Sequence, residues 1–445
     1  MMETSFDLGV FIFRNKMKLK NLKKKIKNKR TIFIVLGLIT IASFLFVFQK
    51  YRDVNNEYRV LIQSKDFDAK KVIAENSKTS IGLLTELAKD ESPEIRGCVA
   101  GNNNSSQKIL KALSKDEYPQ VRAIVAKNRN TPQDILIKLS KDEDTAVRIG
   151  VARNSNINPD LLEELSKDKD PQVRMYVVRN IKARTSLIEK MADDEDSMVR
   201  IYIAKNPNVS RDILIKLSKD EDPQVRAGVA GNIDTETSLL EELFQDDDDK
   251  VLEEIAKNLN THIDLVKKVL IKLAKSEDYY IREFVAQNKN TPIEALYILA
   301  DDSSRVSYYV AQNPNTTIEI LEKLVENKNW EAIDIVTEKR YFTENIRKSF
   351  IEIIKSGNIF EKQKIVYSEN IPEDLFLEIS NVFKEDYDSL KYEYAAKYDY
   401  TEYVFLIRNF CENSNTPINL LEAFSKDEDF KIREMALGAL KNRNK

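Results

Sequence analysis

One histidine, one tryptophan and two cysteines in 445 residues leave few of the side chains on which most enzymes depend. With His262 as the sole imidazole, no Ser–His or Cys–His pair can exist apart from it, and no Gly-x-Ser-x-Gly elbow occurs. Glycine is scarce, ten in all, and no glycine-rich phosphate loop is present. Cys98 and Cys411 lack the spacing of a metal knuckle and are read as free thiols, so His262 has no second ligand for zinc. The acidic run Gln245-Asp246-Asp247-Asp248-Asp249-Lys250 lacks the glycine and distal glutamate of an EF-hand loop and is read as a solvated turn. No cofactor motif is found, and the reading is of a protein that is not an enzyme.

What the chain does have is a period. Asparagine stands at 76, 102, 128, 154, 180, 206, 232 and 258, arginine at 96, 122, 148, 174, 200 and 226, and aspartate at 90, 116, 142, 168, 194, 220 and 246, all 26 apart. A fixed period in this range marks a repeat array, whose units bury their apolar faces only by stacking on one another. One unit, residues 128–153, shows the pattern. Thr131 is expected to cap a helix that begins at Pro132, with Asp134 in the place of a capping-box glutamate, and Thr291-Pro292-Ile293-Glu294 supplies the full box. Ile135, Leu136 and Leu139 share one face at helical spacing. After a polar turn at 141–144, a second, shorter helix is expected, with Val147, Val151 and Ala152 inward. Asn154 is expected to stop it in the left-handed conformation.

Two rows invite a functional reading. Arg96, Arg122, Arg148, Arg174, Arg200 and Arg226 could grip an anion, but the aspartate row has the same period, so pairing with it and with helix-end carbonyls is preferred. Asn102, Asn128, Asn154, Asn180, Asn206 and Asn232 could bind an extended peptide, but helix stopping and hydrogen bonds between repeats account for them more simply. Both rows are therefore read as structural ladders.

Units such as Val-Arg-Ile-Tyr-Ile-Ala-Lys-Asn-Pro-Asn (199–208), followed by Ile213-Leu214 and Leu217, resemble the leucine-rich repeat variant family, which is related in shape to HEAT repeats. An ordinary leucine-rich repeat is excluded, because Val-Ala-Lys-Asn and Val-Ala-Arg-Asn stand where its Leu-x-Leu strand would be. The resemblance implies an all-α fold, a right-handed α-solenoid in which α- and 3₁₀-type helices alternate. Some members hold an iron–sulfur centre in a cysteine cluster; two distant cysteines do not carry that feature over. The match is regular over 70–325 and degenerate over 326–445, where a C-terminal cap is expected. Thirty residues, not 26, separate Asn258 from Asn288, which predicts one added turn within 261–275.

Ahead of the repeats lie a basic tail (1–30), an uncharged stretch of nineteen residues (31–49) and a helical lead-in (50–69). As a helix, 31–49 would span about 28 Å, close to the thickness of a bilayer core. It ends in bulky residues that a signal peptidase disfavours, so it is read as a retained transmembrane helix preceding the solenoid. The positive-inside rule then places the N-terminus in the cytoplasm and the repeats outside, a single-pass protein of the cell membrane. Net charge is +8 over residues 1–49 and −11 beyond them, which disfavours the alternative of a HEAT-like nucleic-acid-binding protein. The expected function is a membrane-anchored scaffold that binds a protein or cell-envelope component, with a structural spacer as the alternative. Tyr387, Tyr392, Tyr394, Tyr398, Tyr400 and Tyr403 crowd one stretch and are the candidate partner-binding residues, tyrosine being suited to interfaces.

Overall fold

The computed structural model describes residues 58–64, 66–368, 370–397 and 400–443. Among them every regular element is an α-helix, and none is a strand. The chain divides into two compact units, Met1–Met191 and Ala192–Lys445, a division that falls within the regular repeats.

Each regular repeat contributes two helices. In the unit at 128–153 these are Gln133–Leu139 and Thr145–Ala152, with Ile135, Leu136, Leu139, Val147, Val151 and Ala152 all buried. The first helix has seven residues and the second eight, and the preceding second helix, Pro119–Lys127, has nine. The order of lengths is thus the reverse of the expected one. The expected alternation with 3₁₀ helices is likewise replaced by α on both sides. The short helix is closed by i→i−4 bonds, from Leu136 N to Pro132 O (3.1 Å) and from Ser140 N to Leu136 O (2.8 Å). Only its end tightens, through a bond from Lys141 N to Lys138 O (3.2 Å).

Within each unit, second helices of successive repeats lie directly against one another; first helices of the regular repeats pack chiefly on second helices, whereas Ile318–Glu326, Glu344–Ser356 and Glu373–Lys397 also lie against one another. Gly150 shows how close the second helices come: a Cβ there would sit 2.5 Å from the carbonyl oxygen of Ala123 on the neighbouring helix. The four additional residues before Asn288 do appear as a turn, since Ile263–Leu273 has eleven residues where its counterparts have seven. The added turn is amphipathic in phase, with Leu265, Val266, Val269, Leu270 and Leu273 all buried.

Beyond Asn313 helical pairs continue with longer members, Glu344–Ser356, Glu373–Lys397 and Tyr400–Glu412. Their core turns aromatic: Phe376, Phe383, Phe410 and Phe424 are buried, with the rings of Phe383 and Phe410 at 4.5 Å between centroids.

The predicted transmembrane helix, 31–49, lies outside the described residues, and among the described residues no helix is long and apolar enough to cross a membrane. Helices of seven to nine residues span only about 10–14 Å, against about 30 Å for a bilayer core. The longest, Glu373–Lys397, carries charged residues throughout. The expectation of a solenoid led by a membrane helix is therefore corrected to an all-α repeat array without one among the described residues. The placement as a single-pass protein of the cell membrane with extracytoplasmic repeats is withdrawn with it.

Candidate functional site

The arginine row is consumed by the scaffold. Arg122 sits in the second helix of its repeat. Its Nε and Nη2 donate to the two carboxylate oxygens of Asp142 at 2.8 Å, and its Nη1 donates to the carbonyls of Asp116 (2.9 Å) and Glu117 (3.2 Å). The aspartate partner belongs to the next repeat, while the carbonyls belong to the arginine's own. Arg96–Asp116, Arg148–Asp168, Arg200–Asp220 and Arg226–Asp246 repeat the pair at 2.6–2.8 Å, and Lys70 does the same with Asp90. Arg174 donates to the carbonyl of Asp168 at 2.8 Å. Burial alone would raise the Asp142 carboxyl. The hydrogen bonds from Arg122 and from the Asp144 N–H outweigh it, so the group is held below its ordinary value. Asp90, Asp116, Asp220, Asp246 and Asp302 are held low by the same balance. These fork-shaped, mostly buried pairs leave the guanidinium face no edge to offer an anion.

The asparagine row is consumed too. The Asn128 amide donates to the carbonyls of Ala100 (2.7 Å) and Asn102 (3.2 Å) in the preceding repeat, and its oxygen accepts from Asn130 N at 2.9 Å. Asn102, Asn154, Asn180 and Asn232 make the same two donations, and the Asn206 carbonyl accepts from Asn232. None of these residues is in the left-handed region as expected: Asn102 and Asn128 stop their helices in extended backbone, Asn128 at φ −67° and ψ 125°, while the helices before Asn154, Asn180 and Asn232 are capped by Arg153, Arg179 and Gly231 in helical backbone. The oxygen that accepts two residues on makes an Asx turn, which ends the helix without a positive φ. Thr131 also differs from expectation: Pro132 is the cap, and the buried Thr131 hydroxyl donates to the Val125 carbonyl of the preceding helix at 2.5 Å. Thr79, Ser105, Thr235 and Thr291 repeat that bond, a third and incomplete row whose slot is taken by Ile157, Ala183 and Val209 in the repeats between Thr131 and Thr235.

What remains open is the face of the second helices made by the residues eight, five, four and one before each asparagine. Over 120–179 these are Gln120, Ala123, Ile124 and Lys127; Ala146, Ile149, Gly150 and Arg153; Gln172, Met175, Tyr176 and Arg179, none of them acidic, whereas ahead of Asn76 and Asn102 they include Asp68, Glu75 and Glu94. Lys127, Arg153 and Arg179 are exposed, and Ile124 is 37% exposed. The Arg153 and Arg179 guanidinium carbons lie 5.0 and 5.4 Å from the Tyr176 ring centroid, so the ring is shared by two cations. At the start of this face, Gly97 and Gly101 leave a cavity of about 780 Å³, lined also by Cys98, Tyr118 and Ile124 and rimmed by Lys71, Glu75 and Glu94. The Cys98 thiol is pushed up to about 11 by burial and by its hydrogen bond to Glu75, which keeps it protonated and unreactive. Sequence reasoning used Val-Ala-Lys-Asn and Val-Ala-Arg-Asn only to exclude a strand. The cations directly before Asn128, Asn154, Asn180 and Asn206 were the available signal for this face.

Of the tyrosine stretch, Tyr387 and Tyr403 are placed differently from a partner patch. Tyr403 is fully buried and Tyr387 is 7% exposed, their rings stacked at 6.3 Å. The Tyr387 hydroxyl donates to Asp427, and burial with that bond drives its pKa far up. Tyr400 is half-buried and donates to Asp429 at 2.9 Å. Tyr392 and Tyr394 fall in the helix Glu373–Lys397, and Tyr398 lies outside the described residues. Tyr387 and Tyr403 thus close a core and offer a partner no area, because helical spacing turned them inward against Phe383 and Phe424.

His262 caps the helix Ile263–Leu273, accepting from Leu265 N at 3.3 Å, and its other ring nitrogen lies 3.1 Å from Glu241. In the acidic run Asp246 takes Arg226, Asp248 caps the helix that comes after it and Asp249 accepts from the Ser276 hydroxyl, so three of the carboxylates serve the scaffold. Cys411 is pushed up to about 12 by burial.

No known family's sequence profile matches the chain, and no curated protein does. Solved structures that resemble it include a leucine-rich repeat variant with a novel repetitive structural motif, at 26% identity and a TM-score of 0.38, over 51% of this chain and 87% of that one. They also include a homology model of the full-length AP-3 complex in an intermediate open conformation, at 13% identity and a TM-score of 0.34, over 87% of this chain and 90% of the other. Both overlaps are loose, and neither assigns this chain a partner or an activity.

Proposed function

We propose that this chain is a non-catalytic scaffold whose second-helix face binds another protein. A helical repeat fold is compatible with that role, since stacking extends one surface over many units. The observation that carries the reading is a division of labour among the polar side chains. The arginine, asparagine and threonine rows are spent on carbonyls and carboxylates within the array. The second-helix face instead presents aliphatic, aromatic and cationic side chains to solvent. Aromatic residues and arginine are the types that dominate the energetic centres of interfaces. Catalysis is disfavoured because the chain's one histidine is an exposed helix cap and both thiols are held protonated.

The reading is tested by placing a photo-crosslinking residue in the full chain, either at Gln172 on the second-helix face or at Lys138 on a first helix. The expected outcome is saturable capture of discrete protein species from Gln172 only. Absence of saturable capture, or the same species from both positions, would favour a spacer without a ligand.

A further inference from the structure

We propose that the second-helix face of the first unit takes an extended acidic peptide with one apolar anchor residue. This rests on the protein-binding reading and names the chemistry of its partner.

The charge pattern comes first. The chain beyond residue 49 carries a net charge of −11, yet the twelve face positions over 120–179 hold three cations and no acid. Lys127 and Arg153 each stand exposed with no carboxylate partner among the described residues. This contrasts with the arginines of the structural row, each engaged by a carboxylate or carbonyl of the array. Tyr176 holds the Arg153 guanidinium against its ring at 5.0 Å, which orients the cation and lowers the entropy lost when a carboxylate docks on it.

The cavity supplies the second observation. Gly97 and Gly101 open a space beneath Ile124, and a Cβ at Gly97 would come within 3.1 Å of the Ile124 Cδ1. The walls are apolar through Ile124, Tyr118 and Cys98, a lining suited to an aliphatic or aromatic side chain. Glu94 in its lining is bridged by Lys71 at 2.6 Å, and Glu75 leaves this end net acidic, so the acidic part of the ligand is repelled from it and drawn toward Lys127 and Arg153. That fixes a polarity: anchor at the cavity, carboxylates along the basic row.

Spacing sets the motif. Packed helices lie about 10 Å apart and an extended chain advances about 3.3 Å per residue, so successive cations match carboxylates at roughly every third position. A nucleic acid is disfavoured, because its continuous phosphate charge has no apolar anchor for the cavity and would meet Glu75 there.

The experiment is a selection of random peptides of about twelve residues, displayed against the purified full chain, followed by titration of the enriched sequences and of a thymidine oligonucleotide. The expected result is enrichment of an apolar residue with Asp or Glu on one side of it at a spacing of about three residues. Binding should weaken about 10-fold or more in the Lys127→Glu/Arg153→Glu chain, and as salt rises, while Lys138→Glu leaves it unchanged. Enriched peptides without acidic bias, no enrichment at all, or an unaltered affinity in the double variant would overturn the proposal. Tighter binding of the oligonucleotide would overturn it in favour of a polyanion site. If capture from Gln172 persists while acidic selection fails, only the partner chemistry is wrong; if both fail, the binding reading goes too.

Discussion

The same face of the second helices differs in charge pairing between the repeats over 120–179 of the first unit and those over 250–313 of the second. In the first, Lys127 and Arg153 stand without carboxylates. In the second, Lys257 occupies the equivalent position and is bridged by Glu253 at 2.7 Å and Glu254 at 3.2 Å, while Arg305 meets Glu283 at 3.1 Å. The structural rows do not change between them: Arg226–Asp246 in the second unit copies Arg122–Asp142 in the first. The array thus holds constant the residues that join repeats and varies those that face solvent. A charge left uncompensated on a surface whose counterpart is internally paired is a charge available to something else.

That comparison can be broken most forcefully at the shared rows. Arg148→Ala would leave Asp168 without its bidentate partner where the two side chains are only 5% and 8% exposed. A loss of about 3–5 kcal/mol is expected, read by chemical denaturation, with hydrogen exchange showing the melting centred on the repeats that share the pair. A loss no larger than that of a surface substitution would remove the distinction between structural and open rows.

Asn128→Ala and Gly150→Ala come next. The first strands the buried Ala100 carbonyl, and the second forces apart two helices in backbone contact. Each is expected to cost about 1–3 kcal/mol. The acid response sharpens the shared feature in both units. Asp90, Asp116, Asp142, Asp220, Asp246 and Asp302 are all held low in the folded chain. Their contribution is complete above the ordinary carboxylate value of about 4 and is lost as pH falls through the lower folded values. Thermal melts should therefore be flat between about pH 7 and 5 and drop below about pH 4. The smallest effect is expected at the open face: Lys127→Ala should shift stability by no more than about 0.5 kcal/mol.

Much of the array was legible in the sequence because one residue does one job at one spacing. Asn102, Asn128 and Asn154 recur at 26 since each must reach the same carbonyls of the repeat before. The mode of action was less legible. Thr131 has the residue type and position of a helix cap, and only the fold brings its hydroxyl to Val125 O. Tyr387 and Tyr403 misled for a related reason: composition is visible in one dimension, whereas their inward turn depends on which helix face is covered. The candidate face was missed because Lys127 and Arg153 gain meaning only when the second helices lie side by side. The array's end was likewise hidden. The Asn413 amide reaches back to Val366 and Ser368, across a span of 45 to 47 residues, and Arg443 then takes the carbonyls of Asn413 and Thr416 in place of a following asparagine.

The most direct test is hydrogen exchange on the full chain, with and without a saturating acidic peptide from the selection. The account expects added protection in the second helices Pro119–Lys127, Thr145–Ala152 and Pro171–Val178, with Asp249–Lys257 unchanged. Protection spread equally over Asp249–Lys257, or absent from the first three helices, would contradict it.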